Sequence, residues 1–179
     1  MEISAPESGH ALDASPRSFA AFYDVALPRL YGYFFHRCGG STDVAEDLTQ
    51  ETFLAVIAEL RNGKQVRAPI AWSYGIARHK LLDHYRREER AERHLTLAWA
   101  SEAAGGELAV PDAPETRERV TAALASVAAS QRAALVLCYL DGYSVPEAAR
   151  LLGKSIEAVE SLLARGRRSF KRAYLEEPA

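Results

Sequence analysis

The chain has 179 residues, 48% of them hydrophobic, which is enough for one ordinary domain or two small ones with packed cores. No apolar run approaches the roughly 18 to 20 residues that span a bilayer, and the polar start lacks the apolar stretch of a secretion signal. We therefore predict a cytoplasmic protein without membrane insertion. The formal net charge of −2 conceals acidic and basic segments that lie far apart along the chain.

The first half of the chain is predicted to be helical behind a polar tail. Residues 1–17 predict a disordered tail, and residues 18–94 carry apolar side chains three and four positions apart, which predicts three helices in one domain. The sequence "CGGST" ends the first helix with glycine and offers Ser41 or Thr42 as the cap of the second. The sequence "RNGKQVRAP" ends the second helix and forms a loop.

The second predicted helix is acidic on one side. Between Ser41 and Leu60 there are five acids and no Lys or Arg. Such a face either is simply solvated or attracts a basic partner. A carboxylate di-metal site is discounted because the predicted helices contain no Glu-x-x-His pair. The candidates for contact with a partner are Asp43, Asp47, Gln50 and Glu51.

The third predicted helix begins near Ile70 with apolar residues and becomes densely charged. Trp72, Tyr74 and Ile76 are typical of a core, whereas residues 78–94 include six Lys or Arg and four acids. This charged half either is solvated or holds phosphates of a nucleic acid. The candidate nucleic-acid ligands are Arg78, His79, Lys80, His84, Arg86 and Arg87.

The second half of the chain is predicted to form another helical domain on a tether. Residues 95–115 are rich in Ala, Gly, Pro and acids, which predicts a flexible linker, and residues 116–175 return to helical spacing. Cys38 and Cys138 lie in apolar helical patterns and are expected to be buried free thiols. The prediction is an all-α chain with two small helical domains. No motif indicates a catalytic residue, metal or cofactor.

The stretch "YSVPEAARLLGKSIEAVESLL" has the pattern of a helix-turn-helix. Ser144 can cap a helix with Pro146 in its first turn, Gly153 can end it in a left-handed conformation, and Ser155 can cap the next helix. Six bases against two acids between residues 154 and 172 favour DNA binding over a plain αα-hairpin. The predicted inner faces comprise Ala148, Ala149, Leu152, Ile156, Val159 and Leu163. The predicted outer face comprises Ser155, Glu157, Ala158, Ser161, Arg165 and Arg168.

Three segments resemble the extracytoplasmic-function (ECF) group of bacterial RNA polymerase sigma factors. The segment "SQRAALVLCYLDGYSVPEAARLLGKSIEAVESLLARGRRSFKR" resembles region four, which reads the minus-thirty-five promoter element. The segment "STDVAEDLTQETFLAVIAEL" resembles the part of region two that docks on the polymerase clamp. The segment "APIAWSYGIARHKLLDHYRREER" resembles the part that recognises and melts the minus-ten element. Their order matches that of the family.

The resemblance implies a non-enzymatic initiation factor with region two in residues 18–94 and region four in residues 116–175. It implies core RNA polymerase as a partner, through the β′ clamp and β flap, together with promoter DNA and an anti-sigma factor. The four acidic-helix candidates correspond to the β′ contact and the third-helix candidates to the minus-ten contact. The loop at residues 62–70 corresponds to the pocket for an unstacked base. Arg132 and the outer face of the helix-turn-helix correspond to the minus-thirty-five contact.

Two departures from the family pattern occur in the second domain. Glu160, Ser161 and Leu162 stand where many members have Lys-Ser-Arg, and "SVAAS" replaces the Leu-Pro that usually precedes the second helix of the domain. A free-standing helix-turn-helix regulator with an N-terminal helical sensing domain is the alternative within DNA binding. A helical interaction protein or a metalloenzyme is the alternative outside it.

Overall fold

The computed structural model describes residues 12–95 and 114–175, and these ranges fold into helices without a sheet. The predicted all-α fold with two helical domains is confirmed. The first domain contains α1 (Pro16–Arg37), α2 (Thr42–Arg61) and α3 (Pro69–Leu95). The second contains α4 (Pro114–Ala125), α5 (Ala129–Leu135), a π-helical turn (Val136–Leu140), α6 (Val145–Leu152) and α7 (Ile156–Leu175). Most of the predicted linker lies outside the described residues.

The first domain packs three amphipathic helices around one apolar core. Ser15 begins α1 by accepting a hydrogen bond from the amide of Ser18, and Ser41 begins α2 in the same way. The hydroxyl of Tyr85 donates to the carbonyl of Arg37 at 2.9 Å, which fixes the middle of α3 against the end of α1. The largest fully buried side chains of this core are Leu30, Phe34, Leu48, Val56, Leu81 and Tyr85.

The end of the predicted disordered tail belongs to the folded domain. The amide of Leu12 donates to the carbonyl of Val66 at 2.8 Å, and the amide of Val66 returns a bond of 3.1 Å to Leu12. Both side chains are buried, because this pairing closes one end of the core. The predicted boundary after residue 17 is therefore corrected to a point before Leu12, and residues 1–11 lie outside the described residues.

The second domain is built around the helix-turn-helix, which has the predicted local structure. Ser144 and Glu147 form a capping box at the start of α6. Gly153 follows α6 with φ of 65°, in the left-handed region, and the hydroxyl of Ser155 accepts from the amide of Ala158 at 3.2 Å. Gly166 lies where α7 packs closely on α5, and a Cβ there would lie 3.1 Å from Cγ of Leu135, a tight contact that would require a small shift of that side chain.

One residue of the predicted inner face lies outside the core. Ile156 is 43% exposed, whereas Leu162, which the sequence did not place in the core, is buried. The apolar face of α7 runs through Val159, Leu162, Leu163 and Phe170, and Ile156 precedes it at the exposed start of the helix. The two cysteines are free thiols, as the sequence predicts. Cys38 is buried and Cys138 is half-buried.

Candidate polymerase and DNA interfaces

The acidic side of α2 projects away from the core. Asp43, Asp47 and Gln50 are exposed, because Leu48 and Thr52 on the opposite side are buried in the domain. Glu51 is different: its carboxylate lies 3.2 Å from Nζ of Lys80 and 3.8 Å from Nη2 of Arg87. The structure therefore places three of the four predicted polymerase contacts on one open surface and turns the fourth toward α3.

Three of the predicted minus-ten residues of α3 are exposed, and a fourth is half-buried. Arg78, His79 and Arg87 are exposed, and Lys80 is half-buried beside Glu51. The guanidinium of Arg78 lies 5.5 Å from the ring centroid of Tyr143 in the second domain. The ion pairs of Glu51 with Lys80 and Arg87 lie where the predicted polymerase and minus-ten surfaces meet.

The other two minus-ten candidates face the second domain. Nε2 of His84 lies 3.2 Å from a carboxylate oxygen of Glu88. Arg86 donates from Nη1 to Asp83 at 2.9 Å and from Nη2 to the carbonyl of Leu151 at 2.7 Å. In this arrangement two donors of Arg86 are engaged within the chain, while its side chain is 41% exposed.

The predicted base pocket follows α2 in an exposed polar loop. Gly63 turns the chain with φ of 85°, and residues 62–65 are exposed. Nζ of Lys64 lies 2.9 Å from Glu59 and 5.3 Å from the ring centroid of Trp72. A loop of this kind offers donors beside an aromatic ring, and the backbone pairing of Val66 holds its far end.

The outer face of α7 has the composition of a DNA-reading surface. Ser155, Glu157, Ser161 and Arg165 are exposed, and Ala158 and Arg168 are partly exposed beside them. Hydrogen bonds from its own amide and from the hydroxyl of Ser155 hold the pKa of Glu157 below its usual value. A fixed carboxylate at this position can accept from a cytosine amino group, and the arginines can bind guanine or phosphate.

Arg132 is not brought to this face. It lies on α5, is 8% exposed, and donates from Nη2 to both carboxylate oxygens of Glu88 at 2.9 and 2.8 Å. Burial alone would raise the pKa of Glu88, but the adjacent His84 and Arg132 hold it below its usual value. The predicted DNA contact of Arg132 therefore requires that the second domain leave α3.

The contacts between the two domains, which we call the seam, were missed in the sequence. Arg37 of α1 donates from Nη2 to Oδ1 of Asp141 at 2.6 Å, and Lys154 pairs with Glu89. Their partners lie 65 to 104 positions away, so no local pattern reveals them. The sequence feature that could have indicated the seam is the group of acids within the basic half of α3.

Residues 12–95 and 114–175 lack a membrane-spanning helix and a metal-binding cluster. Within these ranges no helix is long and apolar enough to cross a bilayer. The same ranges contain no group of three or more His, Cys, Asp or Glu side chains placed to hold a metal ion.

Comparison with known proteins assigns both domains. A family model described as Sigma-70 region 2 matches residues 22–91, and one described as Sigma-70, region 4, matches residues 117–170. The ECF sigma factor SigF of Caulobacter vibrioides is 33% identical over 139 residues, which is 76% of this chain and 74% of SigF. SigX of Bacillus subtilis is 26% identical over 155 residues, which is 83% of this chain and 79% of SigX.

A solved structure of the sigma factor RpoE with the anti-sigma factor NepR from Bartonella quintana has a TM-score of 0.48 at 22% identity. That alignment covers 90% of this chain and 99% of RpoE. The matched family models and the similarity to SigF over most of its length show that the chain belongs to the ECF group of the sigma-70 family of RNA polymerase sigma factors.

Proposed function

We propose that this sigma factor directs core RNA polymerase to promoters by dividing the task among three surfaces. The acidic side of α2 binds the polymerase, the exposed basic residues of α3 bind and open the minus-ten element, and the outer face of α7 reads the minus-thirty-five element. The chain supplies no catalysis, because the polymerase performs the chemistry. We place its action in the cytoplasm, where polymerase and promoters are found.

The observation that carries this proposal is the separation of charge among the surfaces. Asp43 and Asp47 are exposed, and no cation pairs with either among the described residues. The exposed cations of α3 and α7 lie on other helices, at Arg78, Arg87 and Arg165. Carboxylates attract a basic protein surface and repel phosphate, so one side is suited to polymerase and the other two to DNA.

The polymerase surface is tested by reversing one of its charges. We expect Asp47→Lys to weaken binding to core polymerase at least about tenfold, because a cation would replace an anion opposite a basic partner. The measurement is the dissociation constant of fluorescently labelled sigma factor with purified core polymerase at a fixed salt concentration.

Glu59→Lys is the matched control, since it makes the same charge change on α2 at a residue that pairs with Lys64 and lies outside the proposed surface. We expect its dissociation constant to stay near that of the wild type. Equal binding by both variants and the wild type would remove α2 from the polymerase interface.

A free-standing regulator is the competing function. Such a protein binds its operator without polymerase, whereas the proposed sigma factor reaches its promoter as part of the holoenzyme. Family membership also leads us to expect an anti-sigma partner. Recovery of only polymerase subunits with the chain from cells, under every growth condition tried, would count against that partner.

A further inference from the structure

A cleft between the two domains is largely separate from the three proposed surfaces. It has a volume of about 510 Å³ and is lined by residues of α1, α3, α4 and the end of the π-helical turn, together with Asp141. This volume falls within the range of small-molecule sites, roughly 300 to 1,000 Å³. Among the described residues that line the cleft, Arg78 alone belongs to a proposed DNA or polymerase surface. The other lining groups are therefore available to a different ligand.

The cleft is strongly basic. Burial, and then the charges of Arg117 and Arg37, hold the pKa of His36 below its usual value, so His36 is mostly neutral at pH 7. Four positive guanidinium groups against the one carboxylate of Asp141 then give a formal charge of +3. A concave surface lined by one sign of charge concentrates ions of the opposite sign. The four arginines of the cleft are Arg29, Arg37, Arg78 and Arg117.

Three of these arginines keep donors for a ligand. Arg37 is engaged with Asp141, whereas Arg29, Arg78 and Arg117 are exposed. None of these three forms an ion pair with another residue of the ranges 12–95 and 114–175. A guanidinium group binds phosphate oxygens through paired hydrogen bonds that a compact cation cannot match. A ligand with several phosphate charges therefore suits the exposed arginines.

The carboxylate of Asp141 requires a group of the opposite kind, a hydrogen-bond donor. Its Oδ1 accepts two hydrogen bonds from Arg37, one from Nη2 at 2.6 Å and one from Nε at 3.0 Å. Its Oδ2 is buried and has no hydrogen-bond partner among the residues that the structure describes. A buried acceptor without a partner is unfavourable, and an N–H group of a ligand would satisfy it. The ligand therefore carries donors as well as negative charge.

Two half-buried tyrosines also line the cleft. The ring centroids of Tyr33 and Tyr74 lie 5.4 Å apart, with an angle of 72° between the rings. Burial, and then the charge of Asp141, raise the pKa of Tyr33 to about 12, so its hydroxyl stays protonated and can donate. Aromatic side chains pack well against nucleobases. A planar base with N–H donors therefore suits both the tyrosines and Asp141.

We propose that the cleft binds a nucleoside polyphosphate, with N–H groups of the base on Oδ2 of Asp141 and the phosphates on Arg78 and Arg117. Guanine is the best-matched base, because its N1–H and 2-amino donors lie side by side and suit a carboxylate. The donors of adenine stand on a single amino group. Binding to the isolated chain does not depend on the proposed function, so the two stand or fall separately.

Calorimetric titration of the full chain with GTP, ATP and inorganic tripolyphosphate tests the proposal. At one salt concentration we expect GTP to bind at least about tenfold more tightly than tripolyphosphate, and more tightly than ATP. Tripolyphosphate carries the charge without a base, so its affinity measures the arginines alone. Equal affinities for the three would overturn the proposal and leave an unspecific polyanion surface.

Asp141→Asn tests the contact with the base. The new side chain keeps an oxygen for Arg37 and places an amide donor where Oδ2 accepts. We expect it to weaken GTP binding at least about tenfold without weakening tripolyphosphate binding, because only the base loses its acceptor. Equal loss of both ligands would mean that Asp141 only maintains the shape of the cleft, and would overturn the contact with the base. Circular dichroism checks that the helices are intact.

Arg117→Gln tests the phosphate contact and remains informative if Asp141→Asn does not fold. We expect it to weaken the binding of GTP and of tripolyphosphate alike, by about fivefold or more. Arg61→Gln is the matched control, because it makes the same change at an exposed arginine outside the cleft and should leave both affinities unchanged. Unchanged GTP binding by Arg117→Gln would overturn the proposal. So would a chain that binds no GTP and whose affinity for duplex DNA falls in Arg117→Gln, since the cleft would then belong to the DNA surface.

Discussion

At the residue scale, the outer face of α7 separates groups that hold DNA from groups that choose among sequences. Glu157, Ser161 and Arg165 recur every four positions and are exposed, so they lie along one side of the helix. Arg165 also donates from Nε to the carbonyl of Ser161 at 3.4 Å, a long bond that DNA can replace. Glu157 is held as a carboxylate by the start of its own helix.

We expect Arg165→Ala to cost about 1 to 3 kcal/mol of promoter affinity in the holoenzyme, with core binding unchanged. We expect Glu157→Ala to change the ranking of promoter variants more than their overall strength, because a carboxylate selects among base edges. Reconstituted holoenzyme on a panel of minus-thirty-five variants, at one salt concentration, provides the measurement.

Arg29→Ala is the control for Arg165→Ala, since it removes an exposed arginine side chain that lies on the first domain. If both α7 substitutions leave promoter strength and ranking as they are, α7 serves packing alone and the helix-turn-helix is a plain αα-hairpin.

At the element scale, α5 begins without a capping side chain of its own. Ala128 occupies the cap position, in the stretch that replaces the usual Leu-Pro of the family, and the amide of Ala129 instead donates to Glu92 of α3 at 2.6 Å. A helix start thus depends on a residue of the other domain.

We expect Glu92→Ala to lower the free energy of unfolding by about 1 kcal/mol, the usual cost of a lost helix cap, and Ala128→Asp to offset that loss by supplying a local cap. Urea unfolding of the full chain, followed by circular dichroism, gives the four free energies of the double-mutant cycle. Strictly additive effects would show that the two residues do not serve the same helix end.

The elements that could be predicted are those determined by nearby residues. The start of α6 at Ser144 and its end at Gly153 depend on side chains within a few positions, so the sequence predicts both. The pairing of Leu12 with Val66 joins distant segments, and the tail boundary was therefore misplaced. Ile156 has the spacing of a core residue, but spacing alone does not show whether another element covers the start of α7.

At the scale of the whole molecule, two domains were predictable and their packing was not. Arg132 illustrates the reason: its charge and its place in region four indicate DNA, while its burial on Glu88 depends on how two separately folded units meet. Periodicity defines the apolar face within a domain. It carries no information about which charged surfaces of two domains touch.

The seam should weaken in mild acid because of His36. Burial, and then the charges of Arg117 and Arg37, hold the pKa of His36 below its usual value of 6.5 while the seam is formed. The seam therefore favours neutral His36, so the contribution of His36 to its stability is fully present above about pH 6.5 and falls as the pH drops from there toward the lowered pKa. The distance between spin labels at the exposed positions Ala21 and Ala122, introduced as Cys in a Cys138→Ser background, should lengthen between about pH 7.5 and pH 5.5 as His36 is protonated.

His36→Gln should flatten this response, since Gln can keep a bond to Thr121 without titrating. His84 lies in the same seam beside Glu88, so His84→Gln is the matched control and should preserve the contribution of His36. An unchanged response in His36→Gln would assign the acid sensitivity to another group.

The cap that α3 lends to α5 bears on how this protein can be dissected. A fragment cut within the linker would keep α4 to α7, but it would lose the carboxylate at the amide of Ala129 and expose Arg132 to water. Such a fragment would present more free positive charge to DNA than the same helices do in the intact chain. Its DNA affinity would be that of the separated domain, and it would not include the effect of the contacts that the first domain makes with it.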